Sequence, residues 1–226
     1  MLRLISSMAT RQLLAELAAL WQQGSGVAVS IESVGGVDAA RRVQAGEAFD
    51  GVVLDSSAIE KLIAGGQVLA GSRCDLVCSS VALAVKAGTP VPDISTESAL
   101  RSAIEAAPTM GYSTGPSGVA LVKLFERWGI LNALQPRIVQ APTGIPVGSL
   151  VARGEVALGF QQLSELMHLE GITVVGTLPG AVAITTIFSA ATCTASTQRD
   201  ALARLLAFMA SGEAAQVKLH HGMQPA

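Results

Sequence analysis

Apolar positions along the chain fall into two alternating patterns, short continuous runs and longer runs with helical spacing. Leu2 to Ile5 is a continuous run, and Thr10 to Gln23 carries leucines and a tryptophan every three or four residues. Both patterns recur as far as residue 219, with Leu76 to Val85 as the longest apolar run and Val156 to Phe160 as a later one. This order predicts an α/β fold with mostly parallel strands.

Four of the predicted strand-to-helix turns are rich in Ser, Thr or Gly. They are Ser6-Ser7, Ser33 to Gly36, Asp55 to Ser57 and Thr114 to Gly118. Ligands of parallel sheets bind at the carboxyl ends of the strands, where the helices begin. Helix N-termini offer unpaired N–H groups and a positive dipole end, so with hydroxyl donors they can bind an anion without a cation. Ordinary helix capping is the alternative for each single turn, and it stays open.

Composition and charge narrow the possible functions. The net charge is −2, no basic cluster occurs and only 4% of the residues are aromatic, which argues against nucleic-acid binding. Gly171 to Gln198 contains no charged residue, but Pro179 and Gly180 interrupt it and Thr and Ser recur through it. We therefore predict buried strands around a turn in this segment, with no membrane span.

The first residues bear on the cellular compartment of the protein, and the cysteine spacing bears on disulfide formation. Met1 to Ile5 leads directly into the polar turn without the basic start and long apolar core of a secretory signal. A cytoplasmic protein is expected if Met1 is native, and a periplasmic one if a signal peptide has been removed. Cys74 and Cys78 lie four residues apart in a predicted strand, roughly 13 Å, which is too far for a disulfide, so we expect buried thiols.

Motifs of the common catalytic and cofactor sites are absent. The chain has no phosphate loop, no dinucleotide-binding glycine fingerprint, no nucleophile elbow and no zinc-type spacing of Cys and His. None of the three histidines stands in a candidate turn. We therefore predict no cofactor and no metal, and we assign Glu32, Asp38, Asp55 and Glu165, which lie near the turns, to surface or capping roles.

Four segments carry a resemblance to a known family. They are Val34 to Asp50, the Gly-Glu-x-Ala-x-Gly segment within Gly154 to Phe160, Gly176 to Pro179, and Ala207 to Ala215. In their order and spacing they resemble the substrate-binding proteins of molybdate-type ABC transporters, and the resemblance covers nearly the whole chain.

The resemblance implies a periplasmic-binding-protein type II fold, in which two α/β lobes are joined by two crossing strands. Lobe one would hold residues 1–81 and 180–226, lobe two would hold residues 82–179, and a small oxyanion or carboxylate would bind between them with hinge closure. An ABC transporter would be the partner. Together, the turns and the resemblance predict these ligand contacts: Ser6, Ser7, Ser33, Ser56, Thr114, Ser117, Val147, Gln161 and Gln162.

The sequence departs from the molybdate-binding pattern where the family commonly has a tyrosine, near Gln162. Phe160 to Leu166 resembles instead the aconitate isomerase branch of this fold, which handles a tricarboxylate. The alternative function is therefore an isomerase acting on an unsaturated polycarboxylate such as aconitate. Glu165, one helical turn after the glutamine pair, would then be the catalytic base.

Overall fold

The structure, a computed structural model, describes all 226 residues and contains two compact units. Unit 1 is formed by Met1–Ser79 together with Thr186–Ala226, and unit 2 is formed by Ser80–Thr185. The chain passes from one unit to the other twice, and both passages lie within β-strands. The predicted α/β fold with two crossing strands is confirmed.

The strands follow the short apolar runs of the sequence. In chain order they are β1 (Leu2–Ser7), β2 (Val29–Val34), β3 (Gly51–Asp55), β4 (Cys74–Lys86), β5 (Met110–Tyr112), β6 (Ile138–Gln140), β7 (Leu158–Gln162), β8 (Ile172–Thr177), β9 (Thr185–Thr192) and β10 (Met223–Pro225). The crossing strands are β4 and β9.

The helices follow the runs with helical spacing, and short 3₁₀ turns occur between them. In chain order they are α1 (Arg11–Ser25), α2 (Gly36–Gln44), α3 (Ser56–Ala64), α4 (Glu97–Ala106), α5 (Pro116–Arg127), α6 (Leu131–Leu134), α7 (Val147–Arg153), α8 (Leu163–Leu166), α9 (Arg199–Ala210) and α10 (Ala215–His220). No helix is both long enough and apolar enough to span a membrane.

Unit 1 is built on a central strand, β1, that is parallel to β2 on one side and to β3 on the other. Strand β9 then pairs antiparallel with β3. The helical-period leucines of α1, such as Leu13 and Leu17, are buried against β1 and α9. Because β1, β2 and β3 are parallel, their carboxyl ends and the helices that follow lie at one edge of the sheet.

Unit 2 repeats this plan with β5 as the central strand, parallel to both β6 and β7. Residues Val81 to Lys86 of β4 belong to this unit and pair antiparallel with β7 and β8. Phe125 of α5 and Phe160 of β7 meet edge to face in its core, with ring centroids 6.5 Å apart. The carboxyl ends of β5, β6 and β7 therefore form a second edge at which helices α5, α7 and α8 begin.

Three details of the predicted fold are corrected. The pairs of parallel strands are confined to the two central groups, while β4 and β9 pair antiparallel with their partners, so the fold is mixed rather than mostly parallel. Strand β10 was not predicted, because its three residues are held only by pairing with β4. Of the thiols, Cys193 is buried, but Cys74 and Cys78 of β4 are only half-buried, and Cys74 lies at the margin of the unit 1 core.

Candidate functional site

The carboxyl edge of unit 1 brings three of the predicted serines together. Ser6 of β1 lies opposite Ser33 of β2 in the parallel register, and their hydroxyl oxygens are 2.8 Å apart. Ser6 is fully buried and Ser33 half-buried. The Ser6 hydroxyl donates to the Ser7 carbonyl oxygen at 3.3 Å, so the Ser33 hydroxyl is the donor in the Ser6–Ser33 pair and both O–H groups are already used.

Ser7 is the most informative residue of this edge. It is the last residue of β1 and only 7% exposed, and its hydroxyl has no hydrogen-bond partner. A Cβ built on Gly36, the first residue of α2, would lie 3.7 Å from the Ser7 Cβ, so this hydroxyl stands beside a helix start. An unpaired buried hydroxyl costs about 1–3 kcal/mol, and native structures rarely keep one without a reason.

Helix α2 begins without a side-chain cap. Gly35 occupies the cap position and offers no side-chain acceptor to the first N–H groups of the helix. These N–H groups have no intrahelical partner, and they carry the positive end of the helix dipole. The first N–H groups of α2 and the Ser7 hydroxyl are therefore the hydrogen-bond donors that remain unpaired at this edge of unit 1.

The third turn of unit 1 differs from the first two. The Asp55 carboxylate accepts hydrogen bonds from the Ala58 N–H at 3.0 Å and from the Ser57 hydroxyl at the start of α3. This helix start is capped by its own negative charge, so the capping alternative holds at this turn. Ser56, half-buried beside Asp55, is the predicted contact of unit 1 that this geometry supports least.

The acidic residues near these turns have local partners. Arg42 binds both Glu32 and Glu47, and hydrogen bonding to Arg42 lowers the pKa of both carboxyls. Asp38 pairs with Arg41 one helical turn later. The surface and capping roles predicted for Glu32, Asp38 and Asp55 are confirmed. The same role is wrong for Glu165, which is neither exposed nor a helix cap, because its carboxyl accepts a hydrogen bond from the buried Gln161 amide.

In unit 2, the turn after β5 places two serines together. The Ser117 hydroxyl, buried in the first turn of α5, lies 3.2 Å from the hydroxyl of Ser113. Gly115 is at the cap position and Pro116 follows it, so no side chain caps this helix either. Thr114 is exposed beside them. Ser113 was not among the predicted contacts, although it directly precedes the serine- and glycine-rich turn Thr114 to Gly118.

Gly118 allows α5 to begin so close to this turn. A Cβ at this position would lie 1.9 Å from the backbone oxygen of Ser113 and 2.8 Å from the Tyr112 ring. Only a residue without a side chain fits there, so the position of Ser117 depends on Gly118.

The two predicted contacts Val147 and Gln161 bind each other. Gln161 and Gln162 are the last two residues of β7 and both are buried, whereas the sequence placed them after the strand. The side-chain oxygen of Gln161 accepts the Val147 N–H at 2.8 Å, and its amide nitrogen donates to Glu165 Oε1 at 2.8 Å. The Val147 N–H, the Gln161 side-chain oxygen and one of the two Gln161 amide hydrogens are therefore already engaged within unit 2.

Glu165 has the most perturbed carboxyl of this edge. Burial raises its pKa from 4.5 to about 7, and the hydrogen bond from Gln161 opposes that rise. A carboxyl that titrates near neutral pH can accept and return a proton under ordinary conditions. No group of three or more His, Cys, Asp or Glu side chains is arranged to hold a metal ion.

The fold and these two donor-rich edges define a two-unit α/β protein of the solute-binding class. The chain belongs to the bacterial extracellular solute-binding protein family, whose model matches residues 2–224. It is also 38% identical over 216 residues to a Pseudomonas sp. protein named aconitate isomerase, a match that covers 93% of this chain and 82% of that protein.

Solved structures of binding proteins share the fold. The periplasmic molybdate-binding protein of Azotobacter vinelandii is 23% identical, with a TM-score of 0.79 over 99% of this chain and 98% of its own. The sulfate-binding protein of Mycobacterium tuberculosis is 16% identical, with a TM-score of 0.81 over 100% of this chain and 86% of its own. Both resemblances inferred from the sequence, to molybdate-type binding proteins and to aconitate isomerase, are confirmed.

Proposed function

We propose that this chain binds a small anion through the hydroxyl and N–H donors of its serine-rich edges. The observation that carries the proposal is the Ser7 hydroxyl, which is buried, lacks a partner and lies beside the uncapped start of α2. Membership of the solute-binding family supports it. No residue of the two serine clusters is cationic, so hydrogen bonds and helix dipoles would supply the attraction.

We further propose that the anion is a carboxylate rather than molybdate or sulfate. The glutamine pair at the end of β7 and the 38% identical relative named aconitate isomerase support this choice. The family is described as extracellular, which favours the periplasmic one of the two predicted locations. An ABC transporter stays a predicted partner.

Citrate and trans-aconitate should therefore raise the melting temperature more than molybdate, tungstate or sulfate at equal concentration. A ligand that binds only the folded state stabilises it by an amount that grows with the logarithm of its concentration. Differential scanning fluorimetry across a concentration series measures this order. A larger shift with molybdate than with either carboxylate would overturn the carboxylate assignment and leave an oxyanion receptor.

The Ser7→Ala substitution should weaken binding of the best of these ligands about tenfold or more, because one hydrogen bond to a charged group contributes about 1.5–3 kcal/mol. The ligand-free variant should melt at the same temperature or higher, since an unsatisfied buried hydroxyl has been removed. Ser117→Ala should weaken binding by a similar factor from unit 2.

Isothermal titration calorimetry measures both affinities, and Ser102→Ala on the exposed surface of α4 is the matched control. Unchanged affinity in Ser7→Ala would remove this hydroxyl from the site. An effect in only one of the two variants would confine the ligand contacts to one unit.

A second candidate function is isomerisation of an aconitate-like acid, and the raised pKa of Glu165 favours it. Moving the double bond requires a base that takes a proton from the methylene carbon next to it. The electron pair of that C–H bond spreads over the allylic unit into the adjoining carboxylate, and a proton then returns to the far carbon. Atoms and charge balance, and the base regains its starting state.

Incubating the protein with trans-aconitate and following cis-aconitate by chromatography tests this candidate. Formation of cis-aconitate above the rate in buffer is expected. Tight binding without such formation would leave a receptor. This outcome would preserve the anion-binding proposal and discard the isomerase.

A further inference from the structure

Gln161 is buried at the end of β7, with 3% of its surface exposed, and it makes two hydrogen bonds through one amide group. One bond reaches the first N–H of α7, and the other reaches the carboxyl of Glu165 in α8. We propose that Gln161 is a positioning residue, which fixes the Glu165 carboxyl and ties it to the start of α7. This inference rests on the role proposed for Glu165.

The orientation of the amide follows from its partners. A backbone N–H can only donate, so the side-chain oxygen of Gln161 must face Val147. The NH₂ group must then face Glu165, where it requires an acceptor oxygen. The Gln161 amide therefore offers one N–H donor to the Glu165 carboxyl. Because Gln161 belongs to β7, this hydrogen bond holds the carboxyl next to the end of that strand.

Helix α8, which carries Glu165, is about one turn long. It has four residues, and Leu166 is its anchor in the core, packed against Ala82 and Ala84 of β4. Ordering a glutamate side chain costs conformational entropy, because its rotamers are restricted to one. The hydrogen bond from Gln161 offsets part of that cost before any ligand arrives, which is preorganisation.

No neighbouring charge takes part in this arrangement. Desolvation and the Gln161 hydrogen bond are the two causes of the Glu165 pKa shift, and no Lys, Arg, His or carboxyl contributes a Coulombic effect. His168 and Glu170, which follow α8 in the chain, are exposed. Besides burial, which is the larger cause, the hydrogen bond from Gln161 is therefore the interaction that the titration of Glu165 senses.

A ¹³C NMR titration of the glutamate side-chain carboxyls tests the inference without any ligand. The Glu165 resonance is identified by its loss in Glu165→Gln. In Gln161→Met, the titration midpoint of Glu165 should rise by about one unit or more, because the donor that favours the charged form is gone. Gln135→Met, an exposed glutamine of the same unit, is the control and should leave the midpoint unchanged.

If Gln161→Met fails to fold, the same titration is carried out on Gln161→Glu. It retains an acceptor for the Val147 N–H but turns a carboxyl oxygen toward Glu165, so the two groups must share a proton and the midpoint should again rise. A midpoint within about 0.2 units of the native one in the variant that folds would overturn the inference. Absence of aconitate turnover would remove the isomerase proposal and leave this result standing.

Discussion

Replacing Glu165 by glutamine should lower kcat for aconitate isomerisation by a factor of about 100 or more, because general base catalysis contributes roughly 10²–10⁴-fold. Glutamine keeps the oxygen that accepts the Gln161 amide but cannot take a proton. For the native protein, kcat should rise with pH through about 7, since the base works in its ionised form and burial raises its pKa to about 7.

The same substitution should change how stability depends on pH. In the folded state the Glu165 carboxyl holds its proton up to about pH 7, whereas its ordinary pKa is 4.5. Protonated Glu165 therefore stabilises the folded state, and this contribution is lost as the pH rises from about 4.5 to 7. The loss is at most about 3 kcal/mol, and Glu165→Gln should escape it.

Urea unfolding of both proteins at about pH 5 and pH 8 measures this difference, and turnover is followed by chromatography over the same range. Glu170→Gln, an exposed carboxylate in the turn after α8, is the control and should leave both quantities unchanged. Turnover that survives Glu165→Gln would keep the isomerase and exclude this base. An unchanged pH dependence of stability would show that Glu165 is not desolvated.

The Gly118→Ala substitution should destabilise the protein by about 2–3 kcal/mol and weaken anion binding. The new methyl carbon would lie 1.9 Å from the Ser113 oxygen, which belongs to the backbone and cannot rotate away. Helix α5 would have to move, and Ser117 would move with it. Overpacking of a well-filled site typically costs about 1–3 kcal/mol.

Gly180→Ala is the matched control, because a Cβ there would meet no atom within 4 Å. Thermal unfolding of the ligand-free variants and calorimetry with citrate measure the two effects. Stability and affinity equal to those of the control would show that α5 does not depend on this close approach.

The local pattern of apolar residues was sufficient to predict most of the helices and strands. The leucines of α1 and the apolar runs of β1 and β3 predict these elements to within two or three residues, because periodicity depends on neighbours in the chain. The serine-rich turns were found in the same way. Whether a turn is already capped also depends on nearby residues, and the capping or surface role predicted for Asp55 is confirmed by its bond with the Ala58 N–H.

The sequence alone, through apolar periodicity and motif order, determined the α/β class, the two crossing strands and the likeness to solute-binding proteins. Contacts between distant residues required the tertiary structure. The Ser6–Ser33 pair depends on strand register, β10 depends on pairing with β4, and the unpaired state of the Ser7 hydroxyl depends on everything that surrounds it. Gln161 reaches Val147 across 14 residues. Such pairings arise from tertiary packing, which no local sequence pattern encodes. They bring polar residues that are distant in the sequence together at the candidate site.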